Sequence, residues 1–243
     1  MLLYGQTDIG QIRSSNQDVY QIETLDDNAC FGIVCDGMGG ENGGQIASAV
    51  ASQVICEELR RNYKSGLSDD DYKDIIIEAV SDGNVAVYEK AKGNPLYKGM
   101  GTTGVLALVV GNKAYIAHVG DSRLYLLRDE ELYQITHDHS IVQALLDQGK
   151  ITPEEAARHP QKNMITRAIG VSRFVDIDYI EVSTVEDSSL LLCSDGLTNT
   201  VSDELIKNVM LERKPEEVCD TLIRLANHAG GMDNITVVYM TRS

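Results

Sequence analysis

The chain has 243 residues, 43% of them hydrophobic, and only 4 prolines, which is enough for a proper core and shows no obvious linker. Its formal charge of −16 disfavours nucleic acid or an anionic membrane as main partner. The five cysteines (Cys30, Cys35, Cys56, Cys193 and Cys219) form no CxxC pair and read as small buried hydrophobes of a reducing compartment, and no apolar run approaches a membrane span, so a soluble cytoplasmic protein is expected.

In chain order, Cys30–Val34 reads as a strand ending at Asp36-Gly37. Apolar positions at helical spacing follow over Gln45–Tyr63 and again over Asp71–Lys92. Gly104–Val110 and Lys113–Val119 are two strands joined across Gly111-Asn112, a two-residue hairpin signal. Leu124–Leu127 and Glu131–Ile135 form a second pair around Arg128-Asp129-Glu130. A short helix starts at Thr152-Pro153-Glu154-Glu155, with Thr152 as N-cap, Pro153 at the first helical position and Glu155 completing a capping box. Leu190–Cys193 is a late strand, Pro215–Ala229 a helix stopped by Gly230-Gly231, and Ile235–Met240 a last strand. Neighbouring strands with tight turns predict antiparallel sheet, so the expected class is α+β: two packed antiparallel sheets with amphipathic helices laid on them.

Aspartate falls repeatedly at the ends of these apolar runs. Asp36 follows Phe31–Cys35, Asp121 follows Ile116–Val119, Asp195 follows Leu190–Cys193, and Asp233 precedes the strand at Ile235. Asp-Gly makes good turns, and any one of these aspartates alone is read that way. Four converging carboxylates would instead repel one another unless a cation lay between them. Oxygen-only donors suit Mg²⁺ or Mn²⁺, and the His and Cys positions lack zinc-site spacing. Two such ions acidify a water between them and clamp the oxygens of an in-line displacement, and they reverse the local sign of an acidic surface.

The strings Asp8-Ile9-Gly10, Arg13-Ser14-Ser15-Asn16-Gln17-Asp18, Val34-Cys35-Asp36-Gly37-Met38-Gly39-Gly40, Gly101-Thr102-Thr103 and His118-Val119-Gly120-Asp121-Ser122-Arg123 come in that order. Thr166-Arg167-Ala168-Ile169-Gly170, Cys193-Ser194-Asp195-Gly196-Leu197 and Asp233-Asn234-Ile235-Thr236 complete the set. Together they resemble the PPM/PP2C family of metal-dependent protein phosphatases in its compact bacterial form, from about residue 4 to 240. The resemblance implies one phosphatase domain over residues 1–243, a four-layer α-β-β-α sandwich with helix pairs on the outer faces, and a flap over about 137–182. It implies that Asp36 bridges two metals with the carbonyl of Gly37 as a further ligand, and that Asp195 and Asp233 complete the first metal's site. Asp18 serves the second, largely through water, and Asp121 with Asp195 holds a weaker third. Arg13 is implied as the phosphate-binding arginine, a planar fork that stays charged.

The function implied is hydrolysis of phosphoserine and phosphothreonine in proteins by metal-activated water, by a monomer opposing a bacterial Ser/Thr kinase. Three positions depart from relatives. Met38 stands where larger members carry a histidine proposed as general acid, Glu41 where some bacterial members carry one, and Gln17 where many have glutamate. His139 and metal-bound water are the remaining candidates for the proton donor. Gly37–Gly44 lacks both the last glycine of GxGxxG and the P-loop lysine, and Gly120-Asp121-Ser122-Arg123 lacks the GxSxG of an esterase elbow, which argues against a nucleotide-binding module and a serine esterase. The other alternative is a pseudophosphatase that binds phosphoproteins without turnover.

Overall fold

The computed structural model describes residues 1–185 and 187–242, without the side chains of Glu41, Asn42 and Ala157. Glu41, one of the departures noted in the sequence, therefore lies outside the described side chains.

The chain opens with β1 (Leu2–Asp8), β2 (Asp18–Asp26) and β3 (Ala29–Met38), followed by the long helices α1 (Gly40–Asn62) and α2 (Asp69–Lys92). Next come β4 (Gly101–Thr102), β5 (Gly104–Val110), β6 (Lys113–Val119), β7 (Arg123–Arg128) and β8 (Glu131–Gln134). Two short helices, α3 (Ile141–Asp147) and α4 (Pro153–Ala157), precede β9 (Asp178–Ser183) and β10 (Ser189–Cys193). The chain closes with α5 (Asp195–Thr198), α6 (Asp203–Glu212), α7 (Pro215–His228) and β11 (Ile235–Thr241). The strands form two antiparallel sheets, ordered β1-β11-β10-β7-β8 and β2-β3-β5-β6-β9, with β4 paired to β3.

Alternation along each strand creates the layers. Val34, Val105, Ala107, Ile116, Leu124, Leu190, Leu192 and Val238 fill the space between the sheets. Their neighbours Ile33, Cys35, Leu106, Leu108 and Ala117 face the other way and pack on Ala51, Ile55, Ile76 and Val80 of α1 and α2. On the far side Leu191, Cys193, Val237 and Tyr239 pack on Ile206, Val209, Leu222 and Ile223 of α6 and α7. The expected four-layer α-β-β-α sandwich is therefore present, and the central strands are continuous apolar runs because both their faces are covered.

The hairpin across Gly111-Asn112 forms in the expected register, Val110 opposite Lys113, with Gly111 at φ 55. The capping box at Thr152 forms with both of its bonds. The segment expected as a flap needs a corrected boundary. Residues 137–177 carry α3, α4 and loops, but 178–182 belong to β9, paired with β6 in the central sheet. No helix among the described residues is long and apolar enough to cross a membrane.

Candidate metal and phosphate site

Asp36 is not at the tip of its strand. β3 continues to Met38, because Gly37 and Met38 pair with Thr102 and Gly101 of β4, while Asp18 of β2 lies directly across from Asp36. The Asp36 N–H donates to Thr103 Oγ1 at 2.9 Å. Its carbonyl accepts from Thr102 Oγ1 and from the Thr103 N–H, both at 2.8 Å. Gly101-Thr102-Thr103, quoted from the sequence without an assigned role, is thus the clamp that fixes the Asp36 backbone on one side. Gly37 is held on the other: its N–H donates to the Gln17 carbonyl at 3.1 Å, and a Cβ there would lie 2.1 Å from the Gly44 carbonyl oxygen. Only glycine lets α1 start this close to β3.

Asp18 is 5% exposed. Its Oδ2 accepts from Ser194 Oγ and Thr236 Oγ1, each at 2.7 Å, while Oδ1 is buried without a hydrogen-bond partner. Asp195 opens α5. Its Oδ2 accepts from Asn199 Nδ2 at 2.9 Å, and its Oδ1 is likewise a buried acceptor without a partner. Asp233 sits in the loop before β11, with Oδ2 accepting from Arg13 Nη2 at 2.7 Å and Oδ1 from the Asn234 N–H at 2.9 Å. Asn234 staples the loop that carries Arg13 and Gln17. Its Nδ2 donates to the carbonyls of Ile9 and Ser15, and its Oδ1 accepts from the Gln17 N–H.

Asp121 lies in the turn between β6 and β7, positioned by Gly120 (φ 111), where a Cβ would meet Thr103 at 2.6 Å. Asp18, Asp36, Asp121, Asp195 and Asp233 therefore meet at one end of the sandwich, carried by β2, β3, the β6–β7 turn, α5 and the loop before β11. Arg13, Ser15, Gln17, Asp36, Gly37 and Asp233 line a cavity of about 410 Å³ there.

The electrostatics are those of an uncompensated cluster. Burial, then the neighbouring carboxylates, raise Asp36 well above the ordinary carboxylate range, and Asp195 is raised by burial and by Asp233. Burial pushes Asp18 up to about 7 against its two hydroxyl partners, and burial with Asp195 and Asp138 pushes Asp121 up to about 8. The Arg13 guanidinium is raised by its bond to Asp233. Five carboxylates beside one exposed arginine, with two buried oxygen acceptors lacking any donor, fit a site built for hard divalent cations.

His139 does not face this cluster. It is 8% exposed, its Nδ1 accepts from the Gly120 N–H at 2.9 Å, and its Nε2 lies 3.1 Å from Asp178 Oδ2. With Nδ1 accepting, the proton sits on Nε2 and is donated to Asp178, so neither nitrogen is left for a leaving group. His118, His139 and Asp178 lie close enough to hold a metal, but Arg167 Nη1 already stands there, 2.5 Å from Asp178 Oδ1 and 3.0 Å from His139 Nε2. The place of a cation is taken by a guanidinium. Arg167 belongs to the Thr166–Gly170 string, whose Ile169 exchanges two backbone bonds with Thr102 and whose Gly170 N–H donates to buried Asn84 at 2.7 Å. That string anchors the base of the flap on the clamp behind Asp36.

Thr103→Val keeps the shape of the clamp but leaves the Asp36 N–H and Ser122 Oγ, 2.6 Å from Thr103 Oγ1, without their partner. The expected loss is about 1–3 kcal/mol by urea denaturation. An unchanged urea midpoint would show that the clamp carries no weight.

Residues 11–231 match the family described as Protein phosphatase 2C. The chain is 37% identical over 239 residues to the serine/threonine phosphatase stp of Listeria welshimeri, covering 98% of this chain and 94% of that one. Its fold superposes on the crystal structure of the serine/threonine phosphatase Stp1 from Staphylococcus aureus with a TM-score of 0.92 at 36% identity, over 99% of this chain and 94% of that one. The catalytic domain of a serine threonine protein phosphatase PstP, solved in complex with 2 manganese ions, superposes with a TM-score of 0.84 at 35% identity, covering 98% of this chain and 96% of that one.

Proposed function

The chain belongs to the protein phosphatase 2C family, and from that premise we propose that it hydrolyses phosphoserine and phosphothreonine in proteins, with residues 1–243 acting as one phosphatase domain. The observation that carries this is the convergence of Asp18, Asp36, Asp121, Asp195 and Asp233, of which Asp36 and Asp233 line the cavity that also holds Arg13.

Asp36, the Gly37 carbonyl, Asp195 and Asp233 are proposed to hold two Mn²⁺ or Mg²⁺ ions, with Asp18 on the second and Asp121 with Asp195 on a weaker third. When bound, the ions supply an acidified water and neutralise the charge that develops on the phosphoryl oxygens. The protein's own residues orient and bind. Thr102 and Thr103 hold Asp36 rigidly at the centre, and Ser194 and Thr236 fix the rotamer of Asp18 through one oxygen so that the other stays available. Arg13 is paired with Asp233 but half exposed, and it lines the cavity, so it can turn its fork to two phosphate oxygens. His139 is not offered as proton donor, since both of its nitrogens are engaged elsewhere.

Arg13→Ala is expected to lower kcat/KM for a phosphopeptide on the order of 100-fold, as for other single contacts to a charge-bearing oxygen, with Arg13→Lys recovering only part. Loss of less than threefold in the alanine variant would remove Arg13 from the site. Within a cell we place the enzyme in the cytoplasm as a monomer opposing a Ser/Thr kinase, and its charge of −16 keeps it off nucleic acid. The direct test is phosphate release from phosphoserine and phosphothreonine peptides by the purified chain with Mn²⁺. Absence of release, with the peptides still bound, would favour the binding-only alternative.

A further inference from the structure

A second cavity, of about 280 Å³, shares Asp121 and Asp195 with the carboxylate cluster and lies on the other side of it from Arg13. Its opposite wall is the flap. Val142 and Leu146 of α3 and Pro153 and Ala156 of α4 face it, and the Lys162 side chain stands on the wall beyond them. Val142 and Leu146 are one helical turn apart, so they lie on one face of α3. None of these four apolar residues belongs to the three hydrophobic clusters that make up the layers. Ala156 is buried, but Val142 and Leu146 stay half-buried and Pro153 exposed, so this apolar face is only partly covered, and it borders the reaction site directly. The wall is also held in place. Arg123 meets Asp138 through two nitrogens, at 2.9 and 2.7 Å, and Ser140, the N-cap of α3, accepts from the Gln143 N–H. Ile141 N–H donates to the Met164 carbonyl, and Thr166 N–H to that of His139, which ties both ends of the flap together.

We propose that this cavity is a specificity subsite that receives one aliphatic side chain of the phosphoprotein, from a residue near the phosphorylated one in the sequence. The inference rests on the phosphatase reading above. Three features select that occupant. The cavity is continuous with the carboxylates at which the phosphoryl group must sit, so a substrate chain crossing the site passes over it. It is large enough for one bulky side chain and too small for an element of structure. The α3–α4 wall offers apolar surface that a leucine or isoleucine would remove from water, while a substrate carboxylate turned to the same wall would lose hydration without a partner there. A folded substrate domain would not reach it; an extended loop or tail would.

The test is a positional scan on the full chain with Mn²⁺, using phosphothreonine peptides that carry Leu, Gly or Asp in turn at each position flanking the phosphothreonine. At one position Leu is expected to exceed Gly in kcat/KM by about tenfold, and Asp to fall below Gly. The gain should appear mainly in KM. Leu146→Asp is expected to reduce the Leu/Gly ratio at that position to about one, while Leu146→Ile keeps it. Val142→Asp, on the same face, gives a second reading should Leu146→Asp fold poorly. Because the ratio compares two peptides on one enzyme, it is unaffected by the amount of active protein. Equal kcat/KM for Leu, Gly and Asp at every position, with turnover intact, would overturn the subsite and leave the phosphatase reading standing. A preference that survives both aspartate variants would move the subsite elsewhere and also overturn it. No release from any peptide, nor from p-nitrophenyl phosphate, would overturn both.

Discussion

Replacing Asp36 by asparagine is expected to cut phosphate release by at least about 1,000-fold while making the metal-free protein more stable, not less. Asp36 lies opposite Asp18 in the strand register and feels Asp195, Asp121 and Asp233, so it is the carboxylate on which the cluster centres. The neutral amide keeps the size and the backbone bonds to Thr102 and Thr103 but cannot neutralise a divalent cation. In chelator the same change removes the group whose ionisation burial and four neighbouring carboxylates oppose most. A gain of about 1–3 kcal/mol, a few degrees in Tm for a chain of this size, is expected in EDTA, together with loss of the Tm increase on adding Mn²⁺. Turnover within tenfold of wild type would remove Asp36 from the chemistry. A chelated variant that melts well below chelated wild type would mean that the cluster is not repulsive.

The second large effect is on pH. In EDTA the protein is expected to lose stability steadily between about pH 4 and pH 8, and Mn²⁺ should cancel that loss. The folded values of Asp18, about 7, and Asp121, about 8, lie above the ordinary carboxylate value of ~3.9 in the unfolded chain. Between those limits the folded state holds protons that the unfolded state has released. The stability they contribute is therefore fully present below the unfolded value and is lost as pH rises through the folded ones. Cations compete for the same oxygens, so each proton displaced strengthens Mn²⁺ binding by up to about tenfold per pH unit within that window. Activity should vanish on chelation and return with Mn²⁺ at a midpoint concentration that falls as pH rises. A Tm in EDTA that climbs from pH 5 to pH 8, or activity retained after full chelation, would contradict the metal assignment.

The sequence was most legible where the chain is buried on both faces. β3, β5, β6, β10 and β11 are central strands, and each could be read as an apolar run bounded by turn residues. β1, β2 and β9 gave no such signal, and each is an edge strand. Leu2–Asp8 and Asp178–Ser183 mix polar and apolar residues because one side meets water, so their pattern resembles that of a loop. Helix α6 escaped for a related reason, being short and only partly covered, although Ser202 caps it visibly.

For the site, position at the end of an apolar run singled out Asp36, Asp121, Asp195 and Asp233 (although β3 runs on past Asp36) but not Asp18, which opens an edge strand that periodicity does not reveal. What the quoted strings contained but gave no role is the supporting shell. Thr103, Ser194, Thr236 and Asn234 are ordinary residues, each with a partner 42 to 225 positions away, and only the packed sheets bring them together. His139 shows the converse. Its residue type suggested proton transfer, and its surroundings make it a clamp on Gly120.

The pairing of β1 with β11 along its whole length, Leu2 opposite Thr241 and Asp8 opposite Ile235, also governs how the protein is made. Asp18 obtains a hydroxyl partner from Thr236, 218 residues later, and Asp233 arrives only just before it. At ~5–20 residues per second the ribosome takes roughly 10 to 50 s to reach that strand, and until then β1 and β10 lack their common neighbour. The nascent chain thus carries most of the clustered carboxylates before the cluster is complete, and pairing across nearly the full length makes closure slow. A product truncated before Asp233 would lack that carboxylate, the Thr236 hydroxyl that holds Asp18, and the strand between β1 and β10, and on the proposed assignment it would have no catalytic competence.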